Sequence, residues 1–536
     1  MSLKMFRMVG LWSLALLLMS GVVAQAAESD VRIVNAAAAQ DGEAVRALLR
    51  EGADANASRA DGVTALLWAA HWNDVETVDA LLRAGAQVNA ADDHGVTPLG
   101  RACENASEAI VTRLLAAGAD PNAAQDNGLM PLMTAARTGN LAVVQVLLSH
   151  DAAVNDATTR THETALMWAI AESHSDIIRA LIDGGADVHP TEHQAFSPLM
   201  RAASNGDLET VTLLLDAGAR VNDVSADGTH PLVYALILGQ AEIAHLFLER
   251  GADPNATTDG ISALHAAAGN VREWLGTWRR RHNGRIGRGG GGPALSERLP
   301  LVTALLDLGA DPNARITASS VMGGFLRNGS YDTFTTGSGD VGGATPLWVT
   351  AHSMNGGGGF GGTYPAGVID SNAEVMRALL AAGADARLMT NDGSTTLMAA
   401  AGCGHWVYFP GMPRADLRPS AEHAVQILVE EAAMDGAINA VNEADFTALH
   451  CAAFSGLNEL VTYLVDHGAN LNARDWRGRT PFRIAEGAKQ AFQFQEWPEV
   501  AELLRSLGAD TNLGIPGLVH ERAVAQLVGQ GAGVGP

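Results

Sequence analysis

Apolar positions along this chain alternate between two kinds of short stretch. In one, paired alanines recur (Ala69-Ala70, Ala135-Ala136, Ala202-Ala203); the other closes on paired leucines (Leu81-Leu82, Leu114-Leu115, Leu147-Leu148, Leu379-Leu380). Polar Asp-Gly or Asn-Gly pairs precede the first kind, and Gly-Ala-Asp-X-Asn follows the second. The pattern predicts pairs of short helices. Small alanines let two helices pack closely, and leucines of the second helix fill the core. The glycine after it suits the left-handed residue that ends a helix. A threonine caps the first helix and the proline behind it fits the first helical position. Glycine in the preceding pair supplies the positive φ of a tight turn.

The anchor glycines of this echo are Gly52, Gly85, Gly118, Gly185, Gly218, Gly251, Gly309, Gly383, Gly468 and Gly508, with Asp151 in the slot after Gly118. The first three are 33 residues apart. A fixed period of this length marks a solenoid, in which each repeat buries its apolar face only against its neighbours. The step then lengthens to 58 from Gly251 to Gly309, to 74 from Gly309 to Gly383, to 53 from Gly383 to Gly436, and to 40 at the end. The main extra residues fall in four segments: 271–298, 316–342, 353–371 and 403–420. The second replaces a turn tip, and the others separate the paired helices of the seventh, eighth and ninth repeats. Every repeat presents its helix–helix turn at the same edge, so these three insertions are expected to pack into one excrescence.

Aligned on the period, the repeats begin DGVTALLWAAHWND at Asp61, HGVTPLGRACENAS at His94, NGLMPLMTAARTGN at Asn127, HETALMWAIAESHS at His162, AFSPLMRAASNGDL at Ala195 and DGTHPLVYALILGQ at Asp227. Later ones begin DGISALHAAAGN at Asp259, GATPLWVTAHS at Gly343, DGSTTLMAAAGCG at Asp392, DFTALHCAAFSGLN at Asp445 and RGRTPFRIAEGA at Arg477. The series resembles the ankyrin repeat: a turn, T-P-L-H-x-A-A, a second helix ending in L-L, then G-A-D-x-N. The resemblance covers residues 31–515. It implies an all-α fold, an ankyrin-repeat solenoid of about eleven helix-turn-helix units with β-turn fingers, preceded by a degenerate half-unit around Val45–Leu49. It also implies that His265 and His450, in the histidine slot, bond neighbouring backbone, and that partners dock in a concave groove of turn tips and first helices. With GATPLW, DGSTTLMAAAG and FTALHCAAFSG in succession, the later part is similar to secreted bacterial ankyrin proteins. An accessory role beside a periplasmic enzyme is an analogy on that ground.

Charge and leader set the compartment. The formal net charge is −24, and such a surface repels phosphate backbones, so nucleic acid is not an expected partner. Residues 1–26 read as a secretory signal peptide: Lys4 and Arg7 flank the apolar run Met8–Val23, and Ala24-Gln25-Ala26 offers a cleavage site. Loss of those two cations leaves −26. An uncleaved anchor is the alternative, but the run is short for a spanning helix and no later segment is long enough. The protein is therefore expected to be exported, to the periplasm or beyond the cell, as a monomer without a membrane span. Residues 516–536 leave the pattern as a flexible tail. The three cysteines, Cys103, Cys403 and Cys451, form no C-x-x-C pair. Cys103 and Cys451 sit among small helix residues and read as free thiols acting as small hydrophobes.

Two regions are candidates for function. One is a row on the first helices: Trp68, Arg101, Thr134, Trp168, Arg201 and Tyr234, flanked by His71, Trp72, Glu104, Arg137 and Glu172. Trp, Arg and Tyr are the residue types that carry interface energy; the alternative is that the aromatics plug gaps between helices. The other is the insert cluster, with Trp274, Trp278, Tyr364, Trp406 and Tyr408 too apolar for solvated loops. Its Arg279, Arg280 and Arg281 form a basic island that suits an acidic partner or an anion, or pairs with acidic repeats alongside. No G-x-S-x-G, H-E-x-x-H or phosphate loop occurs, so no catalytic residue, cofactor site or metal ligand set is expected. The leading expectation is a non-enzymatic scaffold that binds a protein partner. Its rivals are an enzyme or small-ligand binder using the inserts, and a secreted effector aimed at host proteins.

Overall fold

The computed structural model describes residues 31–189, 196–271, 274, 275, 278, 292–318, 340–354, 369–403, 418–490 and 493–514. The expected signal peptide, the tail and much of the four insertions lie outside them, as do Arg279, Arg280, Arg281, Tyr364, Trp406 and Tyr408. The chain divides into two compact bodies, Met1–Arg220 and Val221–Pro536.

In the N-terminal body the helix pairs are Val31–Ala38 with Gly42–Arg50, Ala65–His71 with Val75–Arg83, Pro98–Glu104 with Glu108–Ala116, Pro131–Thr138 with Leu141–Leu148, Ala165–Ala171 with Ser175–Asp183, and Pro198–Asn205 with Leu208–Asp216. First helices stack on first helices and second on second. The leading pair is complete where the sequence suggested a half-unit. Its first helix, VRIVNAAA, buries Ile33, Val34 and Ala37 without the T-P-L-H signature. Caps are as the sequence implies: the Thr64, Thr97 and Ser197 hydroxyls accept from the amides of Leu67, Gly100 and Met200 at 3.2–3.3 Å. Gly85 takes φ 83°, and Asp151 fills the same slot at φ 60°. Leu81, Leu114 and Leu147 are fully buried, and truncating any of them to alanine would remove about 2–5 kcal/mol.

The C-terminal body repeats the scheme with Pro231–Leu238 and Ala241–Glu249, Ala263–Ala268 and Leu295–Asp307, Pro346–Ser353 and Ile369–Ala381, Thr396–Ala400 and Arg418–Gln426, Ala448–Ser455 and Asn458–Asp466, and Pro481–Glu486 and Pro498–Ser506. In the ninth repeat the second helix runs into a π-turn, Ile427–Glu431, and the left-handed residue is Ala433 at φ 52°. Gly436, the anchor suggested by spacing, does not take that conformation; the π-turn absorbs the residue that shifts the register. The lengthened step before Gly508 becomes an antiparallel hairpin, Ala488–Gln490 with Gln493–Gln495.

Successive repeats are joined by the asparagine of G-A-D-x-N. Asn56 donates to Gly85 O (3.2 Å) and accepts from the Gln87 amide (2.6 Å). Asn89 and Asn122 do the same one repeat on. The bridge survives the insertions. Asn255 reaches Gly309 O and the Asp311 amide, and Asn313 reaches Gly383 O and the Asp385 amide, all at 2.7–3.0 Å. The added segments leave the stack without breaking its register.

Candidate partner-binding face

In the N-terminal body the fourth helical residue of each first helix falls on a common side, because each helix begins at the same place in its repeat, behind Thr64, Thr97, Met130, Thr164 or Ser197. That side presents Trp68, Arg101, Thr134, Trp168 and Arg201. Thr134 is buried, and Trp68, Arg101, Trp168 and Arg201 are half-buried. At the next turn Trp72 is 40% exposed, His71 and Glu104 are half-buried, and Arg137 and Glu172 are exposed. Trp68 and Trp72 stack with centroids 6.0 Å apart, and His71 meets Trp72 edge-on at 4.6 Å. Arg59 lies over Trp68 at 6.0 Å while bonding Asn35 at 2.7 Å. Beside this cluster a cavity of about 210 Å³ is lined by Ala37, Gln40, Gly42, Ala69, Trp72, Asp74 and Thr77.

The charged members of the row are held in place. Arg101 pairs with Glu104 at 2.8 Å, Arg201 with Glu163 at 2.6 Å, and Arg137 lies over the Trp168 ring at 5.8 Å. The indole nitrogens of Trp68 and Trp168 and Nε of Arg201 are buried without a hydrogen-bond partner, which is uncommon for buried donors. Asn105 and Asn205 instead serve the fold, donating to the carbonyls of His71 (2.6 Å) and Ile170 (2.7 Å) at the ends of neighbouring first helices. The arrangement is a set of rigid aromatic and guanidinium side chains with little rotamer freedom left to lose on contact.

Tyr234 is different. It lies in the C-terminal body, is 3% exposed, and is covered by Trp278 at 5.9 Å. Trp278 is itself buried, donating Nε1–H to Thr229 Oγ1 at 2.9 Å. Trp274 is buried against Trp348 and His352. Tyr234, Trp274 and Trp278 therefore do not form an exposed surface or a projecting excrescence: this part of the insert folds back onto the first helices.

Further residues were not legible. Cys403 and Cys451 form a disulfide, with Cα atoms 5.0 Å apart at a sequence separation of 48. This corrects the reading of Cys451 as a free thiol. The two cysteines belong to adjacent repeats whose first helices stack, so a pairing remote in sequence is close in space. Cys103 is free and buried, and burial pushes its thiol far up. His265 and His450 do bond neighbouring backbone, Nε2–H donating to Ala344 O (3.0 Å) and Arg479 O (3.2 Å). Burial lowers both to about 4. His230, capping Pro231–Leu238, is likewise lowered to about 4 by burial. Among the described residues no group of three or more His, Cys, Asp or Glu is placed to hold a metal ion, and no helix is long and apolar enough to cross a membrane.

The model of the family described as ankyrin repeats matches residues 33–125, 101–192, 199–275 and 417–513. A probable E3 ubiquitin-protein ligase of Oryza sativa subsp. japonica is 36% identical over 101 residues, 18% of this chain and 16% of the relative. Protein phosphatase 1 regulatory subunit 27 of Mus musculus is 37% identical over 73 residues, 14% of this chain and 43% of the relative. The chain thus spans less than half the length of either curated relative. Among solved structures, the human ASB11 ankyrin repeat domain matches at 29% identity with a TM-score of 0.36, over 41% of this chain and 97% of that one.

Proposed function

The chain belongs to the ankyrin-repeat family, and we propose that it is an exported, non-enzymatic scaffold that binds a protein partner through the first-helix row of its N-terminal body. The observation that carries this is the Trp68–His71–Trp72 cluster, continued by Arg101, Arg137, Trp168 and Arg201. Stacked aromatics with a 40%-exposed indole at the edge and arginines already fixed by Glu104, Glu163 and Trp168 are the makings of an interface hot spot. By its name the mouse relative is a regulatory subunit, a role in keeping with binding rather than chemistry. Export is favoured by the leader-like residues 1–26 and by the Cys403–Cys451 disulfide, since such bonds persist in oxidising compartments. In a cell with two membranes the place is the periplasm, and an accessory role to an enzyme there is the narrower form of the proposal.

The test is affinity capture from a periplasmic extract with purified intact protein and with a Trp72→Ala/Arg137→Ala variant, followed by titration of the captured protein. Both side chains reach solvent, so the variant's thermal stability should stay near that of the parent. Affinity should fall at least about tenfold. Equal affinity for both proteins removes the row from the interface.

A further inference from the structure

The C-terminal body carries its own version of this face, and the chain itself sits on it. The first helix of the seventh repeat ends at Gly269, where a Cβ would come within 2.6 Å of Val349 Cγ1 and 2.7 Å of Ser353 Oγ. Beyond it Val271, Trp274, Leu275 and Trp278 are all buried. Trp278 lies on Tyr234 of the sixth repeat and bonds Thr229. Trp274 meets Trp348 of the eighth repeat edge-on at 6.2 Å, and its Nε1–H donates to Val341 O at 3.3 Å. Two indoles four residues apart thus reach first helices on either side of the seventh repeat. Each ring packs against an aromatic side chain of a first helix, and each N–H is met by a buried acceptor, Val341 O for Trp274 and Thr229 Oγ1 for Trp278, so both indoles are seated with their polar atom satisfied.

The repeat stack beneath is continuous without them. First helices of the sixth, seventh and eighth repeats touch directly, and the asparagine bridges Asn222–Gly251, Asn255–Gly309 and Asn313–Gly383 run on regardless. The excursion also closes on itself: a Cβ added at Gly292, where the described chain resumes, would lie 2.6 Å from the Gly269 carbonyl oxygen.

We propose that the first-helix face of repeats six to eight is a second binding face, one that recognises a peptide segment with two aromatic side chains four residues apart, and that Trp274 and Trp278 occupy it in cis. An occupant carried by the same chain competes with any free segment, so a free segment binds only the fraction of molecules in which Trp274 and Trp278 have left the face. The proposal is independent of the N-terminal row.

The experiment uses the full chain with residues 270–291 excised, joining Gly269 to Gly292, and a synthetic peptide of residues 270–278 as the probe. Calorimetric titration should give at least about tenfold tighter peptide binding to the excised chain than to the intact one, with helical circular dichroism retained. A peptide with both tryptophans replaced by alanine should not bind. An excised chain that keeps its helical signal and ignores the peptide, or an intact chain that binds it equally well, overturns the proposal. Should the excised chain not fold, Trp278→Ala in the otherwise intact protein must gain peptide binding, and its failure to do so overturns the proposal as well. Trp72→Ala/Arg137→Ala should leave all these affinities unchanged, which separates this face from the N-terminal one.

Discussion

Acidification from pH 7 to pH 4 drives protons toward imidazoles that the fold keeps neutral. His265 Nδ1 accepts from the Ser262 amide (3.4 Å) and hydroxyl (2.7 Å), and His450 Nδ1 from the Thr447 amide (3.1 Å) and hydroxyl (2.9 Å). A proton on either Nδ1 would face the backbone N–H that now donates to it. Both rings are buried, and burial lowers each from 6.5 to about 4. Between pH 6.5 and 4 the unfolded chain therefore binds more protons than the folded one, so stability is fully present above 6.5 and falls as pH drops toward 4. At 1.36 kcal/mol per unit the loss is roughly 3 kcal/mol for each histidine, on the order of 6 for the pair. Urea denaturation followed by far-ultraviolet circular dichroism at pH 7.5, 6.5, 5.5 and 4.5 measures it. The control is His265→Met/His450→Met, since the same helical slot holds Met133, Met167, Met200 and Met398 in other repeats. The variant should lose about 1–2 kcal/mol per site at pH 7.5 from the missing hydrogen bonds, yet its stability should fall much less on acidification. If parent and variant lose stability in parallel, the buried histidines are not the source of the acid sensitivity.

Two further outcomes follow from the covalent and polar links between repeats. Thiol titration in denaturant should find one reactive cysteine, Cys103, before reduction and three after it. Reduction should destabilise the C-terminal body by up to about 4 kcal/mol, seen as a lower melting temperature, for a bridge spanning 48 residues; three free thiols without reduction would contradict the pairing. Asn313→Ala removes two bonds that span the longest step between repeats, from Gly309 to Gly383. It should cost about 1–2 kcal/mol in urea unfolding and speed hydrogen exchange at the Asp385 amide, whereas unchanged exchange there would mean the bridge is not formed.

The helix pairs, their caps and the row of first-helix residues were legible because each depends on residues within one period. Thr64, Gly85 and Leu81 do their work within a few positions of where they stand. What was hidden depends on contacts between periods. Nothing local to Tyr234 indicates that Trp278 covers it, and Cys403 and Cys451 become neighbours only once repeats nine and ten stack. The opening helix pair escaped for the opposite reason: Ile33, Val34 and Ala37 supply the packing without the consensus around it. In the ninth repeat, a plausible glycine at 436 drew the register away from Ala433, because spacing alone does not register a π-turn.

The asparagine bridges bear on how such a chain lengthens. From Asn56 the link to the next repeat spans 29 residues, and from Asn313 it spans 70, yet the same two bonds are made. The entropy of closing a connection grows only with the logarithm of its length, so this difference is worth about 0.8 kcal/mol. A repeat's address is thus set by which carbonyl its neighbour's asparagine finds, and hardly at all by chain distance. New sequence can be written into the gaps between addresses at small thermodynamic cost, and foreign segments grafted between residues 319 and 339 should leave every downstream repeat at its old address.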